Sequence, residues 1–301
     1  MLNSPSQALA GSAAAAGAFF LWGIMPVYFK ALADLPAEEI LWHRITWSAV
    51  LTAILVVTIG RAKELFAVTR QKRHLGMLVL SASLVGANWL LFIWAVNNDR
   101  MVDASLGYFI NPLINMVLGY LFFDERLALT QKFAAVLAVT GVMIQVIGFG
   151  QIPWIALGLG FSFGFYGLIR KRIAVDSLVG LSIETTLLLP IAVAALVFST
   201  SPTTNPMNNS AILNGLLLVA GPATTIPLLL FVFASKRLTL TSLGFYQYIG
   251  PSLMFIIAIL VYEEELGVDR WLTFILIWTA LVLVSWHAVK QYRDHGKAHA
   301  T

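Results

Sequence analysis

Six stretches of this sequence contain no Asp, Glu, Lys or Arg: residues 1–29, 74–98, 104–123, 133–169, 185–235 and 238–262. Each is long enough to cross the roughly 30 Å of bilayer hydrocarbon as a helix, which takes about 20 residues. Only 11% of the 301 residues are charged and 59% are hydrophobic, whereas an ordinary soluble domain is roughly a quarter charged. The chain lacks the polar residues to cover a water-facing surface, so a soluble globular protein is excluded. The segments must be helices, because lipid offers backbone N–H and C=O groups no partner and barrel strands would alternate polar with apolar residues. The absence of cysteine excludes a disulfide framework and thiolate metal sites.

Charges and Pro/Gly/Asn clusters divide the chain into ten apolar segments, near 7–30, 38–60, 75–97, 102–123, 132–149, 152–169, 178–198, 211–234, 240–262 and 268–288. The connections are short, the longest being 61–74 and 199–210, and no extramembrane domain fits in them. With ten spans, one side of the membrane receives Arg61, Lys63, Arg70, Lys72 and Arg73, then Arg126 and Lys132, Arg170, Lys171 and Arg172, Lys236 and Arg237, and Lys290, Arg293 and Lys297 in a tail over 289–301. The other side keeps Lys30, Arg100 and Arg270, and Arg44 falls inside a span. The positive-inside rule then places both termini in the cytoplasm. No basic residue precedes the first apolar run, so a cleavable signal peptide is not expected. The net charge of +4 resides in membrane-flanking loops, so it does not call for a nucleic-acid partner.

The sequence repeats itself. Leu90-Leu91-Phe92 recurs as Leu229-Leu230-Phe231, Pro112 as Pro251, and Asp124-Glu125-Arg126-Leu127 as Glu263-Glu264-Glu265-Leu266, all at an offset of 139. Ser105-Leu106-Gly107-Tyr108 matches Ser242-Leu243-Gly244-Phe245 at an offset of 137. Each copy holds five helices, an odd number, so the second must cross the membrane upside down. The expected fold is therefore all-α and integral to the membrane, with ten transmembrane helices as two inverted five-helix repeats over 7–149 and 152–288. Inverted repeats are a transporter architecture, with the substrate path near the midplane between the halves.

Several longer motifs carry a family likeness. Asn88-Trp89-Leu90-Leu91-Phe92-Ile93-Trp94-Ala95-Val96-Asn97 and Ala104-Ser105-Leu106-Gly107-Tyr108-Phe109-Ile110-Asn111-Pro112-Leu113 resemble the RarD group of the EamA family, in the drug/metabolite transporter superfamily. So do Gly160-Phe161-Ser162-Phe163-Gly164-Phe165-Tyr166-Gly167 and Gly244-Phe245-Tyr246-Gln247-Tyr248-Ile249-Gly250-Pro251. The resemblance runs from the first helix to the tenth. It implies a ten-helix bacterial inner-membrane permease built from two EamA repeats, in a group labelled by chloramphenicol sensitivity or resistance. It carries over no set of site residues, so these are read from their physics.

Arg44 stands out. An arginine at a helix centre costs about 2.5–3.5 kcal/mol to insert and normally faces the bundle or a watery cavity. It lies about seven residues, or roughly 10 Å, from the end of its helix, so snorkelling to the headgroups is the structural alternative. His43 beside it and Glu39 before it suggest a polar pocket. Glu184, on the repeat counterpart of that helix, lies at a similar depth from the opposite face and is a candidate proton site. The two depths differ by roughly 10 Å across a core of about 30 Å, which argues against a direct Arg44–Glu184 pair. Pro112 and Pro251 free backbone carbonyls and permit a bend or break at matching places, with Asn111, Asn115, Gln247 and Tyr248 adding polar groups beside them. Asn88, Trp89 and Tyr108 are pocket candidates. Ala156, Gly160 and Gly164 form one small face for close helix contact. Asp124-Glu125 and Glu263-Glu264-Glu265 precede the fifth and tenth helices, where acids complement the macrodipole.

These features point to a secondary transporter of small organic metabolites or drugs, exporting by alternating access. The lipid bilayer is its surroundings, and no cofactor or metal is expected. Proton coupling through Glu184 or His43, facilitated exchange and a homo-oligomer are all compatible with the sequence. A non-transporting membrane receptor is the competing class. No nucleophile–base arrangement suggests an enzyme.

Overall fold

A computed structural model describes residues 5–32, 34–97, 100–149, 154–199 and 201–261, with short helical pieces between 271 and 283. The described chain is helical: α1 (Pro5–Lys30), α2 (Ala37–Thr58), α3 (Ala62–Thr69), α4 (Lys72–Asn97), α5 (Met101–Phe123), α6 (Leu129–Phe149), α7 (Trp154–Arg172), α8 (Ser177–Phe198), α9 (Ala211–Ser235), α10 (Leu240–Gln247) and α11 (Ile249–Leu260). Five of them, α1, α2, α4, α8 and α9, are long and apolar enough to cross a membrane, and α5 and α6 contain shorter apolar helices. Ile147, Phe198 and Ile212 are each more than 70% exposed. In water such a surface would be penalised, whereas in hydrocarbon it is not.

Side chains and turns set the helix ends. Gly60, at φ +76, closes α2 in a Schellman turn, with Arg61 N–H donating to the Val56 carbonyl at 2.8 Å. Asp124 ends α5 in the left-handed region at φ 51, a conformation that short polar side chains tolerate. Asp176, Ser210 and Thr239 cap α8, α9 and α10 by accepting N–H bonds from Leu178, Leu213 and Ser242.

Several sequence expectations need correction. The 61–74 connection contains the short helix α3, and 199–210 contains two 3₁₀ turns, Pro202–Thr204 and Pro206–Asn208. The 240–262 segment is divided at Tyr248 into α10 and α11. Pro251 lacks the N–H that would have bonded the Gln247 carbonyl, and the break falls there. Pro112 causes no such break, because α5 continues through it. The two prolines are therefore not equivalent hinges. The acids at 263–265, most of the 268–288 span and the 289–301 tail lie outside the described residues.

α2 packs against α8 and α9, α1 against α9 and α11, α7 against α4 and α5, and α5 against α10. The small face of α7 meets α5, where a Cβ on Gly160 or Gly164 would lie 2.8 Å from the Ile114 side chain. Gly244 lets α10 approach the backbone of α5, because a Cβ there would lie 2.9 Å from the Pro112 carbonyl oxygen.

Candidate functional site

Arg44 lies about 10 Å along α2 from its start at Ala37 and is only 9% exposed, so it does not snorkel. Its Nε donates to Thr224 Oγ1 of α9 at 2.9 Å. Its guanidinium carbon lies 5.5 Å from the ring centre of Phe29 on α1 and 5.3 Å from that of Trp89 on α4. A desolvated cation–π contact contributes about 1–2 kcal/mol and a hydrogen bond from a charged group about 1.5–3. Together these offset the insertion cost, so the arginine is held where it is. Tyr28 and Tyr108 lie near it. The Tyr28 hydroxyl donates to the Leu216 carbonyl at 3.0 Å, whereas Tyr108 packs its ring on Phe92 and is 38% exposed. Among the described residues no carboxylate lies within ion-pair distance of Arg44.

The expected pocket of His43 and Glu39 around Arg44 does not form. The Glu39 carboxylate accepts hydrogen bonds from Ser201, at 2.7 Å, and Thr203, so it ties the 199–210 connection to α2. His43 Nε2 is buried without a hydrogen-bond partner among the described residues.

Glu184 is fully buried and belongs to a second cluster. It accepts from Ser81 Oγ on α4, and Tyr166 OH donates to its Oε2 at 3.5 Å. Arg170 Nη1 lies 3.6 Å from its Oε1, with both side chains essentially inaccessible. Arg170 Nη2 also donates to the Ser177 carbonyl at 3.2 Å. Counting along the sequence assigned Arg170 to a basic loop; it is instead a buried counter-ion in the last turn of α7. The missed signal was Gly180, one turn before Glu184 on the same face of α8, because the guanidinium occupies the space a Cβ there would take.

The amides form two further groups, apart from Arg44. Asn111 Nδ2 donates to the Gly160 carbonyl at 2.9 Å, and Asn115 Nδ2 donates to Asn111 Oδ1 at 3.1 Å and Gln247 Oε1 at 2.5 Å. This ladder joins α5 to α7 and α10, and Tyr248 OH adds a bond to the Phe109 carbonyl at 3.4 Å. Asn88 Nδ2 donates to the Leu159 carbonyl and Ser162 Oγ at 3.0 and 2.9 Å. Of the sequence candidates, only Trp89 and Tyr108 gather with Arg44; Asn88, Asn111, Asn115, Gln247 and Tyr248 bind helix to helix. Thr224 and Phe29 were not singled out, because an ordinary threonine and phenylalanine in long apolar helices give no signal of their own.

The end of the bundle rich in Lys and Arg is tightly closed. Trp22, Phe163, Tyr166 and Phe231 form an aromatic plug, with Phe163 and Phe231 ring centres 4.9 Å apart. Below it, Glu125 accepts the Leu240 and Thr241 N–H groups at 2.8 and 2.9 Å. It therefore caps α10, not the helix that follows it in sequence. Lys171 donates to the Ser235 and Leu238 carbonyls and lies 3.9 Å from Glu125. Lys236 donates to the Val175 carbonyl, and burial, followed by the charge of nearby Arg170, pushes its ammonium down to about 8. Arg61 pairs with Asp176 at 2.6 Å. Among the described residues no group of His, Cys, Asp or Glu is arranged to hold a metal.

The chain resembles known proteins over nearly its whole length. Residues 9–147 match the EamA-like transporter family. The chain is 48% identical to protein RarD of Salmonella typhimurium over 95% of this chain and 98% of that one. It is 47% identical to protein RarD of Escherichia coli, covering 97% and 99%, and 40% identical to an uncharacterised transporter of Bacillus subtilis, covering 93% and 95%. A solved crystal structure superposes with a TM-score of 0.72 at 16% identity, over 95% of this chain and 99% of the other, so the fold is shared.

Proposed function

Because the chain belongs to the RarD group of the EamA-like transporter family, we propose that it is an inner-membrane secondary transporter moving a small organic solute outward by alternating access. It is a multi-pass membrane protein of the drug/metabolite type, and its relatives are named as transporters, not enzymes. The observation that carries the mechanism is the position of Arg44: on α2 in the first half, it is bonded to Thr224 on α9 in the second half and flanked by rings of α1 and α4.

The packing supports two inverted five-helix repeats, over 7–149 and 152–288. α1 lies on α9 as α7 lies on α4, and α5 lies on α7 as α11 lies on α1, while α2–α8 and α5–α10 each pair an element with its own counterpart. A pseudo-two-fold axis between halves exchanges contacts in this way. By the distribution of basic residues, the closed end faces the cytoplasm, with the Arg44 region on the far side of the aromatic plug.

The test is flux of a radiolabelled metabolite panel in right-side-out and inside-out proteoliposomes. A solute should cross with the wild type and fail to cross with folded Arg44→Ala protein. A ligand that binds but never enters sealed vesicles would make the protein a receptor instead. Reporter fusions at residues 65, 174 and 295 should read cytoplasmic and at 205 periplasmic; a cytoplasmic 205 removes the inverted repeat.

A further inference from the structure

The repeat places Arg44 on α2 and Glu184 on α8 at corresponding stations, each reaching the third long helix of the other half: Arg44 bonds Thr224 of α9, and Glu184 accepts from Ser81 of α4. Each also meets the first helix of its own half, and there the stations differ. α7 supplies Arg170, 3.6 Å from Glu184, and the pair is sealed from solvent. α1 supplies the face of Phe29, which attracts a cation but does not neutralise it. Among the described residues, one station carries its own counter-ion and the other does not.

The guanidinium of Arg44 has donors to spare for an external counter-ion. Of its guanidinium nitrogens, only Nε has a hydrogen-bond acceptor among the described residues, so the paired Nη1 and Nη2 donors are uncommitted. Among the described residues, the titratable side chains near it include two tyrosines, Tyr28 and Tyr108. One of these, Tyr108, is 38% exposed although its station lies well inside the span, and its hydroxyl makes no hydrogen bond among the described residues. A positive site between two aromatic faces, with spare donors, suits one negative charge on an apolar body. One basic and one acidic residue in the spans would by themselves suit an amphipathic or zwitterionic solute. With Glu184 already neutralised by Arg170, the charge balance at Arg44 favours an anion.

We propose that the Arg44 station binds the carboxylate of a small organic monoanion, held by the guanidinium fork and flanked by Trp89 and Phe29. A guanidinium presents two parallel donors to a carboxylate, which a lysine ammonium cannot reproduce. The proposal rests on the transporter reading for its route across the membrane, but the binding site itself is testable without transport.

Three probes of matched shape separate the charges: benzoate, benzamide and benzylamine, with inorganic phosphate as a fourth. The full-length protein in lipid nanodiscs is titrated with each while its thermal unfolding is followed. Benzoate should stabilise the wild type saturably, and benzamide, benzylamine and phosphate should not. Arg44→Met should weaken the benzoate response by about 10- to 100-fold, the worth of charge-assisted hydrogen bonds, and Arg44→Lys should retain part of it. Glu184→Gln should leave the preference for the anion intact. Should Arg44→Met fail to insert, Thr224→Ala, which frees the guanidinium from its anchor, should weaken benzoate binding while leaving Arg44 in place. Equal binding of benzamide or benzylamine, an unchanged response in Arg44→Met, binding of phosphate alone, or no response to benzoate and a panel of other aryl and alkyl carboxylates would each overturn the proposal. Arg44-dependent benzoate binding without flux of any solute would support the anion site and remove the transporter reading. Arg44-dependent flux of a neutral or cationic solute would do the reverse.

Discussion

The buried pair of Arg170 and Glu184 makes a quantitative demand on stability. Removing one member leaves the other charged and desolvated, which costs about 3–5 kcal/mol, whereas replacing both with uncharged residues of similar volume is close to neutral. The surroundings refine these figures. In Arg170→Met, the Glu184 carboxylate keeps two donors, Ser81 and Tyr166, so the loss should fall near 3 kcal/mol. In Glu184→Gln the amide oxygen can still accept from Arg170, but the guanidinium loses its counter-charge and otherwise keeps only the Ser177 carbonyl among its described hydrogen bonds, so the loss should be nearer 5. The double variant should lose about 1–2 kcal/mol, which sets the coupling near 6 kcal/mol. At roughly 2 °C per kcal/mol for a chain of this size, the single variants should unfold about 6–10 °C below the wild type and the double variant within about 4 °C of it. Tryptophan fluorescence during heating in a fixed detergent measures all four proteins. A double variant that falls by the sum of the two single losses would show that these charges do not interact, and the electrostatic account of the cluster would be wrong.

Gly180→Ala puts a methyl group where the Arg170 guanidinium lies and should cost about 1–3 kcal/mol as overpacking; measured in the Arg170→Met background, the same substitution should cost little. Glu125→Gln keeps an acceptor but loses the charge that caps two N–H groups of α10, so unfolding should shift down by about 2–4 °C, reflecting about 1–2 kcal/mol. Glu184→Gln should leave any pH-gradient dependence of flux unchanged in proteoliposomes, because Arg170 already occupies that carboxylate; loss of the dependence would return the proton role to Glu184. Burial alone would raise the Asp176 carboxyl, but hydrogen bonds from Arg61 and the Leu178 N–H hold it below its ordinary value of 3.8. Its contribution is therefore complete above about pH 4 and is lost as pH falls through the depressed value. An acid titration of unfolding should be shallower for Asp176→Asn, and identical slopes would mean the pair contributes nothing.

Sequence patterning was most informative where physics acts over a whole segment. Uncharged stretches of 20 residues and more have one stable form in lipid, so the helices over 7–30, 38–60, 75–97 and 178–198 match α1, α2, α4 and α8 closely. The small face of α7 was equally legible, because an i, i+4 run of Ala and Gly has few uses besides close packing. The site was less so. Arg44 announces itself by insertion cost, but Thr224 and Phe29 become specific only when α9 and α1 are brought beside it. Arg170 was hidden by its neighbours, since Lys171 and Arg172 make the run look like a loop. Glu125 was read as serving the helix it precedes because one-dimensional proximity cannot show that α10 begins beside it. Pro112 and Pro251 occupy matching positions, yet α5 absorbs one and the α10–α11 junction yields at the other, a difference set by neighbouring contacts and invisible to a periodic pattern.

The distribution of strong and weak contacts bears on how such a bundle could change shape. The strongest buried ion pair, Arg170 with Glu184, joins α7 to α8 within the second half, so it can travel with that half unbroken. The charged contacts that cross between the halves at the end rich in Lys and Arg are lighter: the Ser81 bond to Glu184, the Glu125 cap on α10, the 3.9 Å approach of Lys171 to Glu125, and the exposed Arg61–Asp176 pair. A hydrogen bond to a charged group contributes about 1.5–3 kcal/mol net of the water that replaces it, and an exposed ion pair about 0–1 kcal/mol. Parting the end rich in Lys and Arg then costs several kcal/mol, which a ligand that binds the parted arrangement more tightly can offset. An anion at Arg44 acts on the same boundary, because Arg44 and Thr224 belong to opposite halves. Its binding energy is therefore available to favour whichever arrangement brings both halves around it.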